Sequence, residues 1–537
     1  VMQSVVGFHD SNTERVDRWT VIHLYSKRFV ELHQYFSSQN VICVGTLEFT
    51  TATCQAMIGT IILSFVFALL LYLWSKRRPN NFPPGPTPLP IIGNIHQFPQ
   101  GHFWVGVDEW SKKYGPIIGL SAFDFLFLVV TEIDHIVAAL RKEEFQARPD
   151  TVVVRERTFG KILGIFFGSG EQWSSSRKFV VKQMRAFGKN ERENLIADEI
   201  SRLMDTIKDG SVVQGNGMFG LSAINVIWMI IASKRIDFND KRSRQFLENL
   251  NELFRNGSTS GTIVDFFPIL RFVNKKFKRD QTITYGIYSF IQETIQEHRE
   301  ILDPNNPRDL IDNYLIEIER HKDSYPSYFS EEDLIVVTSD LFSAGAESTS
   351  NSCEFVLLYM ILFPEVQKKM QDELDHVLGR SRKPTLADKA QLHYTMAVLN
   401  EVERINSVAP AAVPHYCTKD TTFGGYFIPK DTMVLLNLRA VGYDTKYWKS
   451  PEEFTPERFL NTEGQYSKPS NMPTFGLGQR TCVGEMLARN TIFLFTTTFF
   501  EKFSISLPPG EPEPSTFALP GFTTAPRPFK ISIKSRY

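Results

Sequence analysis

Five cysteines (Cys43, Cys54, Cys353, Cys417 and Cys482) are scattered through the 537 residues, odd in number and without a CxxC pair. A disulfide framework is therefore not expected, and a reducing compartment fits. One of the five stands where it could do chemistry. Cys482 lies in Phe475-Gly476-Leu477-Gly478-Gln479-Arg480-Thr481-Cys482-Val483-Gly484, and a helical run follows from Glu485. The glycines permit a tight turn with backbone N–H groups aimed inward. A cysteine at the start of a helix, with a cation such as Arg480 beside it, is biased toward thiolate. Such a sulfur can ligate iron and push electron density onto it, favouring O–O cleavage. Without those neighbours a lone cysteine is ordinarily buried and inert.

A second group is Ala344-Gly345-Ala346-Glu347-Ser348-Thr349, inside a helix that starts near Ser330-Glu331-Glu332-Asp333, a capping-box pattern. Positions 341, 344, 345 and 348 share one helical face. Ala344 and Gly345 leave a depression beside the Ser348 hydroxyl, where a flat cofactor and a diatomic molecule could sit. A close helix crossing uses the same small residues. Glu401 and Arg404 are three apart in Glu401-Val402-Glu403-Arg404, close enough to pair on a helix. Further on stands Phe454-Thr455-Pro456-Glu457-Arg458-Phe459. Trp173 and Arg177 put an N–H donor and a cation on one helix face, while Lys178, Lys182 and Arg185 form a basic stripe turned away from them.

The segment around Cys482 resembles the FxxGxRxCxG haem-binding loop of the cytochrome P450 superfamily at every fixed position. The Glu347 segment is similar to that family's oxygen-binding helix, A/G-G-x-D/E-T-T/S, with Ser348 where threonine is usual. The resemblance implies haem b (iron protoporphyrin IX) with Cys482 as thiolate ligand and as the metal-binding residue. Phe475, Gly478, Arg480, Gly484, Ala344 and Gly345 would surround the cofactor, and Glu347, Ser348 and Thr349 would serve oxygen chemistry. Ser348 keeps the hydroxyl of threonine but loses the methyl that restricts its rotamers, which bears on the coupling of electrons to product. Trp173 and Arg177, Arg148 in Phe145-Gln146-Ala147-Arg148-Pro149, and His415 after Pro414 look like propionate contacts, since cation and carboxylate make strong bonds. Glu401, Arg404 and Arg458 would form a buried structural triad. Finer echoes in Asn225-Val226-Ile227 and Arg235-Ile236-Asp237-Phe238 resemble the animal microsomal group that oxidises drugs, steroids and fatty acids.

The elements that must position these residues read as one mainly α domain with small β-sheets, the cytochrome P450 fold. Helical patterns cover 190–208, 243–256, 281–301, 331–362, 364–378 and 388–407. Strand-like runs lie near 117–130, 414–438 and 503–533. Residues 94–537 form a single large haem domain without linker or repeat. Before it, 75–93 is a basic, proline-rich hinge that favours a stiff extended path. Residues 56–74 are apolar and long enough to span a bilayer, with Lys76-Arg77-Arg78 placing the body on the cytoplasmic side. Residues 1–55 carry no period or motif, and Met57 is where a natural start is expected, so this stretch reads as an upstream extension.

The expectation is a monooxygenase on the cytoplasmic face of the endoplasmic reticulum membrane, single-pass, acting on O2 and a lipophilic small molecule. Phe166, Phe167, Phe254, Phe266, Phe267 and Phe342 are expected near its pocket. No GxGxxG opens a helix after a strand, so electrons are expected from NADPH-cytochrome P450 reductase, with cytochrome b5 as a further partner and membrane lipid as the surroundings. The basic stripe is the expected reductase contact. A net charge of -1 argues against nucleic acid. Two other readings stay open: a peroxide isomerase or dehydratase of the same family, and a haem-binding sensor without turnover.

Overall fold

The computed structural model describes residues 58–67, 69, 78–98, 103–186, 188–237, 241–257, 261–324, 326–468 and 472–537. The expected extension 1–55, the remainder of the 56–74 anchor and residues 75–77 lie outside the described residues. Within the anchor, 58–67 is helical, and Ile61, Leu63 and Phe65 are exposed. Among the described residues no helix is long and apolar enough to cross a membrane. The chain divides after residue 75 into two compact units.

In the second unit the proline-rich segment runs non-helical over 78–90 and is bound to the first strand rather than free. The Gly119 N–H donates to the Pro84 carbonyl at 2.8 Å. The contact depends on Gly85, whose Cβ, if present, would lie 2.1 Å from the Gly119 carbonyl oxygen.

Strand β1 (Ile117–Ala122) pairs antiparallel with β2 (Phe125–Val130). Short strands follow as β3 (Val212–Gln214), β4 (His415–Tyr416), β5 (Thr421–Phe423), β6 (Tyr426–Ile428), β7 (Met433–Leu436), β8 (Phe503–Ser506) and β9 (Lys530–Ser535). They make a β1-β2-β7-β4 sheet, a β3-β9-β8 sheet and the β5-β6 hairpin. Val130, Leu128, Val434 and Leu436 are buried on β2 and β7, as expected where apolar branched residues fill central strands. Two pairings position the site: His415 opposite Val434, and Ala147 bridged to Tyr416, which sets Arg148 beside His415.

The central helix, Glu331–Leu362, is buried along most of its length, even though polar residues such as Asp340, Glu347, Ser350, Asn351 and Glu354 interrupt its apolar run. Ser330 caps it by accepting the Asp333 N–H, and three acids in the first turn suit the helix dipole. The reciprocal half of the expected capping box is missing. Asp333 is instead buried and accepts from Gly164 N–H at 2.8 Å, Ser176 Oγ at 2.7 Å and the Tyr314 hydroxyl. The 388–407 pattern is also shorter than expected. Asp388 binds back to Thr385 and Arg382 and closes a 3-10 turn at Leu386–Ala390, so the helix runs His393–Ile405. The other expected helices stand within a few residues of their patterns, as Lys189–Thr206, Lys241–Asn256, Lys275–Glu300 and Pro364–Leu378.

Candidate active site

Cys482 borders a cavity of about 400 Å³ between the central helix and the helix Glu485–Lys502. Its N–H donates to the Phe475 carbonyl at 2.9 Å, closing the loop. Gly476 (φ 73°) and Gly478 (φ 71°) take the left-handed turns that fold it back. Gly478 then lies against the Leu140 carbonyl rather than on the cavity. Gly484 has ordinary backbone torsions (φ -96°), and a Cβ there would make only ordinary van der Waals contact with Cys482 Sγ at 4.0 Å. Burial raises the Cys482 pKa, while the N–H groups of Gly484 and Glu485, with Arg177, act against it without cancelling it. The Cys482 side chain is itself exposed toward the cavity, and a coordinated metal there would deprotonate the sulfur outright.

Arg148, Arg177 and Arg480 all border this cavity, and among the described residues no carboxylate pairs with any of them. Arg148 is held by backbone alone, donating to Val413 at 2.7 Å and Pro414 at 3.1 Å. Burial and the neighbouring Arg177 lower its pKa to about 9. Arg480 falls to about 8 through burial and repulsion from the other two arginines. Its guanidinium lies 3.5 Å from the centroid of the Trp173 ring, and Arg177 donates to the Thr481 carbonyl. One Arg480 nitrogen and the Trp173 Nε1 are buried without a hydrogen-bond partner among the described residues. His415 Nδ1 meets the Phe145 carbonyl at 2.6 Å, and burial with Arg148 and Arg480 hold the ring well below the usual imidazole range. Three crowded cations and an orphaned indole N–H are costly in an apolar interior unless anions join them. Two carboxylates of a flat apolar group answer that need, so the residues present fit haem and its propionates.

On the central helix, Ala344, Gly345, Ser348 and Thr349 face the cavity. Gly345 also serves a helix crossing, since a Cβ there would meet Ile227 at 3.3 Å. The two readings of these small residues therefore hold together. Ser348 Oγ donates back to the Ala344 carbonyl at 2.6 Å. Glu347 does not border the cavity. It is buried and ion-paired with Arg255, a residue sequence reasoning missed because the two lie 92 positions apart. Burial raises the Glu347 pKa, and Arg255 draws it partly back.

Behind the loop, Glu401 and Arg404 pair at 2.7 Å, both fully buried, and Arg458 reaches Glu401 at 3.0 Å. Arg404 also donates to the Gly442 and Pro451 carbonyls. The neighbouring Glu403, passed over in the sequence, binds Arg489 at 2.9 Å and the Thr474 hydroxyl, tying this helix to the Cys482 loop. Arg489 in turn stacks over Phe475 at 4.4 Å.

Of the six phenylalanines expected near the pocket, Phe166 and Phe254 border it. Phe342 is fully buried against Trp228, Phe266 packs with Phe125, Phe267 is exposed against Phe123, and Phe167 meets Phe166 edge to face. Phe522, unforeseen, also borders it.

Comparison with known proteins agrees with this geometry. A family model described as Cytochrome P450 matches residues 83–533. Farnesoate epoxidase of Bombyx mori is 37% identical over 89% of this chain and 99% of its own length. Cytochrome P450 2C3 of Oryctolagus cuniculus is 36% identical over 81% of this chain and 91% of its own. Cytochrome P450 2J2 of Homo sapiens is 35% identical over 88% and 94%.

Proposed function

This chain belongs to the cytochrome P450 family, an oxidoreductase family that holds haem through a cysteine thiolate, and on that premise we propose that it inserts one oxygen atom from O2 into a lipophilic molecule at Cys482. The observation that carries this reading is the trio Arg148, Arg177 and Arg480, without acidic partners, around an apolar cavity that ends on Cys482 and Ser348.

When bound, haem iron held by the Cys482 sulfur would supply the oxygen activation. The chain's own residues do the rest. Arg148, Arg177, Arg480, Trp173 and His415 hold and orient the propionates by charge-assisted bonds. Gly484 lies beside the sulfur, while Ala344 and Gly345 leave room on the central-helix side of the cavity. Phe166, Phe254 and Phe522 exclude water and receive an apolar substrate. The Ser348 hydroxyl can rotate from the Ala344 carbonyl to offer a hydrogen bond. Thr349 lies beside it, and Glu347, held by Arg255, keeps a proton more readily than an exposed acid.

Electrons come from NADPH through a reductase docked on Lys178, Lys182 and Arg185, which are all exposed. Cytochrome b5 would share that face. The apolar helix at 58–67 supports a single-pass anchor over 56–74 in the endoplasmic reticulum membrane, with the body cytoplasmic. Because one relative is named farnesoate epoxidase, the substrate screen begins with unsaturated terpenoid acids beside fatty acids, steroids and xenobiotics.

The test is a reduced carbon monoxide spectrum followed by turnover with NADPH and reductase. A thiolate spectrum lost in Cys482→Ser, with O2-dependent product from wild type, is the expected result. Product formed from hydroperoxides alone would favour an isomerase, and a variant keeping both spectrum and turnover would overturn the reading.

A further inference from the structure

The central helix carries a polar stripe beyond the residues that face the cavity. Glu347, Ser350, Asn351 and Glu354 follow one another at helical spacing and share a face. All four are buried. Asn351 Nδ2 donates to Glu347 Oε1 at 3.3 Å, and Ser350 Oγ donates to Glu354 Oε1 at 2.6 Å. The same Glu354 oxygen accepts the Gly217 N–H at 2.9 Å. Gly217 is exposed in the turn that leads into the helix Gly220–Ala232, so the stripe runs from the oxygen site to solvent without crossing the substrate cavity. Buried carboxyls are normally paired with a cation. Among the described residues Glu354 forms no ion pair, and Arg255 is engaged by Glu347 Oε1. At the inner end Glu347 Oε2 is buried without a partner.

Resting on the monooxygenase reading, we infer that this stripe carries protons from solvent at the Gly217 turn to the oxygen site, with Glu354 as the receiving group and Ser350 and Glu347 as the carriers beyond it. Glu354 takes a proton from water at the turn. Its O–H passes that proton to Ser350 Oγ as the hydroxyl releases its own inward. A water bridging Ser350 to Glu347 Oε2 closes the remaining helical turn, a distance such waters commonly span. Glu347 gives its proton to the site and is recharged, so one proton moves inward and every carrier returns to its starting form. Burial pushes the Glu354 carboxyl up to about 7, where acid and base forms coexist as a proton carrier requires. Two charged groups bear on it: Glu347 from its own helix, which raises it, and Arg255, which lowers it. The turn 215–220, the helix Gly220–Ala232 and residues 522–526 carry no ionisable side chain.

Glu354→Gln keeps the shape and removes the proton. In the haem-loaded enzyme with reductase and NADPH, the carbon monoxide spectrum and substrate-induced spectral shift should match wild type. Product formation should fall about tenfold, less than the ~100-fold or more of a direct proton donor because water can substitute in part. The solvent deuterium isotope effect should grow. The decline of wild-type turnover as pH rises through about 7 should flatten. Wild-type rate, isotope effect and pH profile in the variant would overturn the path. A wild-type protein without thiolate spectrum or O2-dependent turnover would overturn the monooxygenase reading instead. If Glu354→Gln does not fold, Ser350→Ala carries the test, with the same loss expected and an unchanged isotope effect counting against the path.

Discussion

The Arg480 guanidinium stacks on the Trp173 ring, 3.5 Å from its centroid, although the two residues lie on separate elements far apart in the chain. Both groups retain a buried nitrogen without a hydrogen-bond partner among the described residues, which an anion between them would satisfy. Trp173→Phe should keep the stack and lose the N–H. A missing buried hydrogen bond costs about 1–3 kcal/mol, so haem should dissociate roughly tenfold faster while the helix content is unchanged. Transfer of haem to an acceptor globin measures this, and a wild-type rate would remove Trp173 from the cofactor's contacts.

Glu401, fully buried, accepts from the buried Arg404, from Arg458 and from the Thr455 N–H. Removing one member of a buried ion pair strands the others and costs about 3–5 kcal/mol. Glu401→Ala should therefore abolish soluble, haem-loaded protein. Arg458→Lys, at the more accessible edge, should give a folded protein with a lowered melting temperature. Equal thermal stability of both variants and wild type would contradict a structural triad.

What could be read from the sequence follows chain proximity. The Cys482 loop, the Ser348 segment and the Glu401/Arg404 pair each fall within ten residues, so their spacing alone exposes them. His415 and Arg148 were legible only through the resemblance, since a bridge between Ala147 and Tyr416 is what sets them side by side. Arg255, Glu403 with Arg489, and Phe522 act through contacts that no local period encodes. Phe342 misled for the opposite reason: the central helix is buried on nearly all its faces, so periodicity could not tell its cavity face from its Trp228 face.

Lys178, Lys182 and Arg185 project from the helix Gly170–Ala186, whose other side carries Trp173 and Arg177 to the site. Lys182→Glu should weaken reductase-driven turnover several-fold, more so at low salt, because exposed charges steer association and are screened. Turnover driven by an organic peroxide should be spared. Equal loss of both activities would point to damage inside the protein rather than at a docking face.

Glu354 predicts a pH signature in stability that does not require turnover. Burial raises its carboxyl from an ordinary 4.5 to about 7, so the folded protein holds that proton more tightly than the unfolded chain. The stabilisation from the protonated form is fully present below about 4.5 and is lost as pH rises through about 7. At about 1.4 kcal/mol per pH unit the loss is on the order of 3 kcal/mol across that window. Glu354→Gln cannot ionise and keeps a constant contribution. Its melting temperature, compared with wild type in matched buffers, should gain on wild type as pH rises from about 4.5 to about 7 and level off above that. Parallel melting curves across that range would mean Glu354 ionises as freely in the fold as outside it, and would leave its burial beside Ser350 without electrostatic consequence.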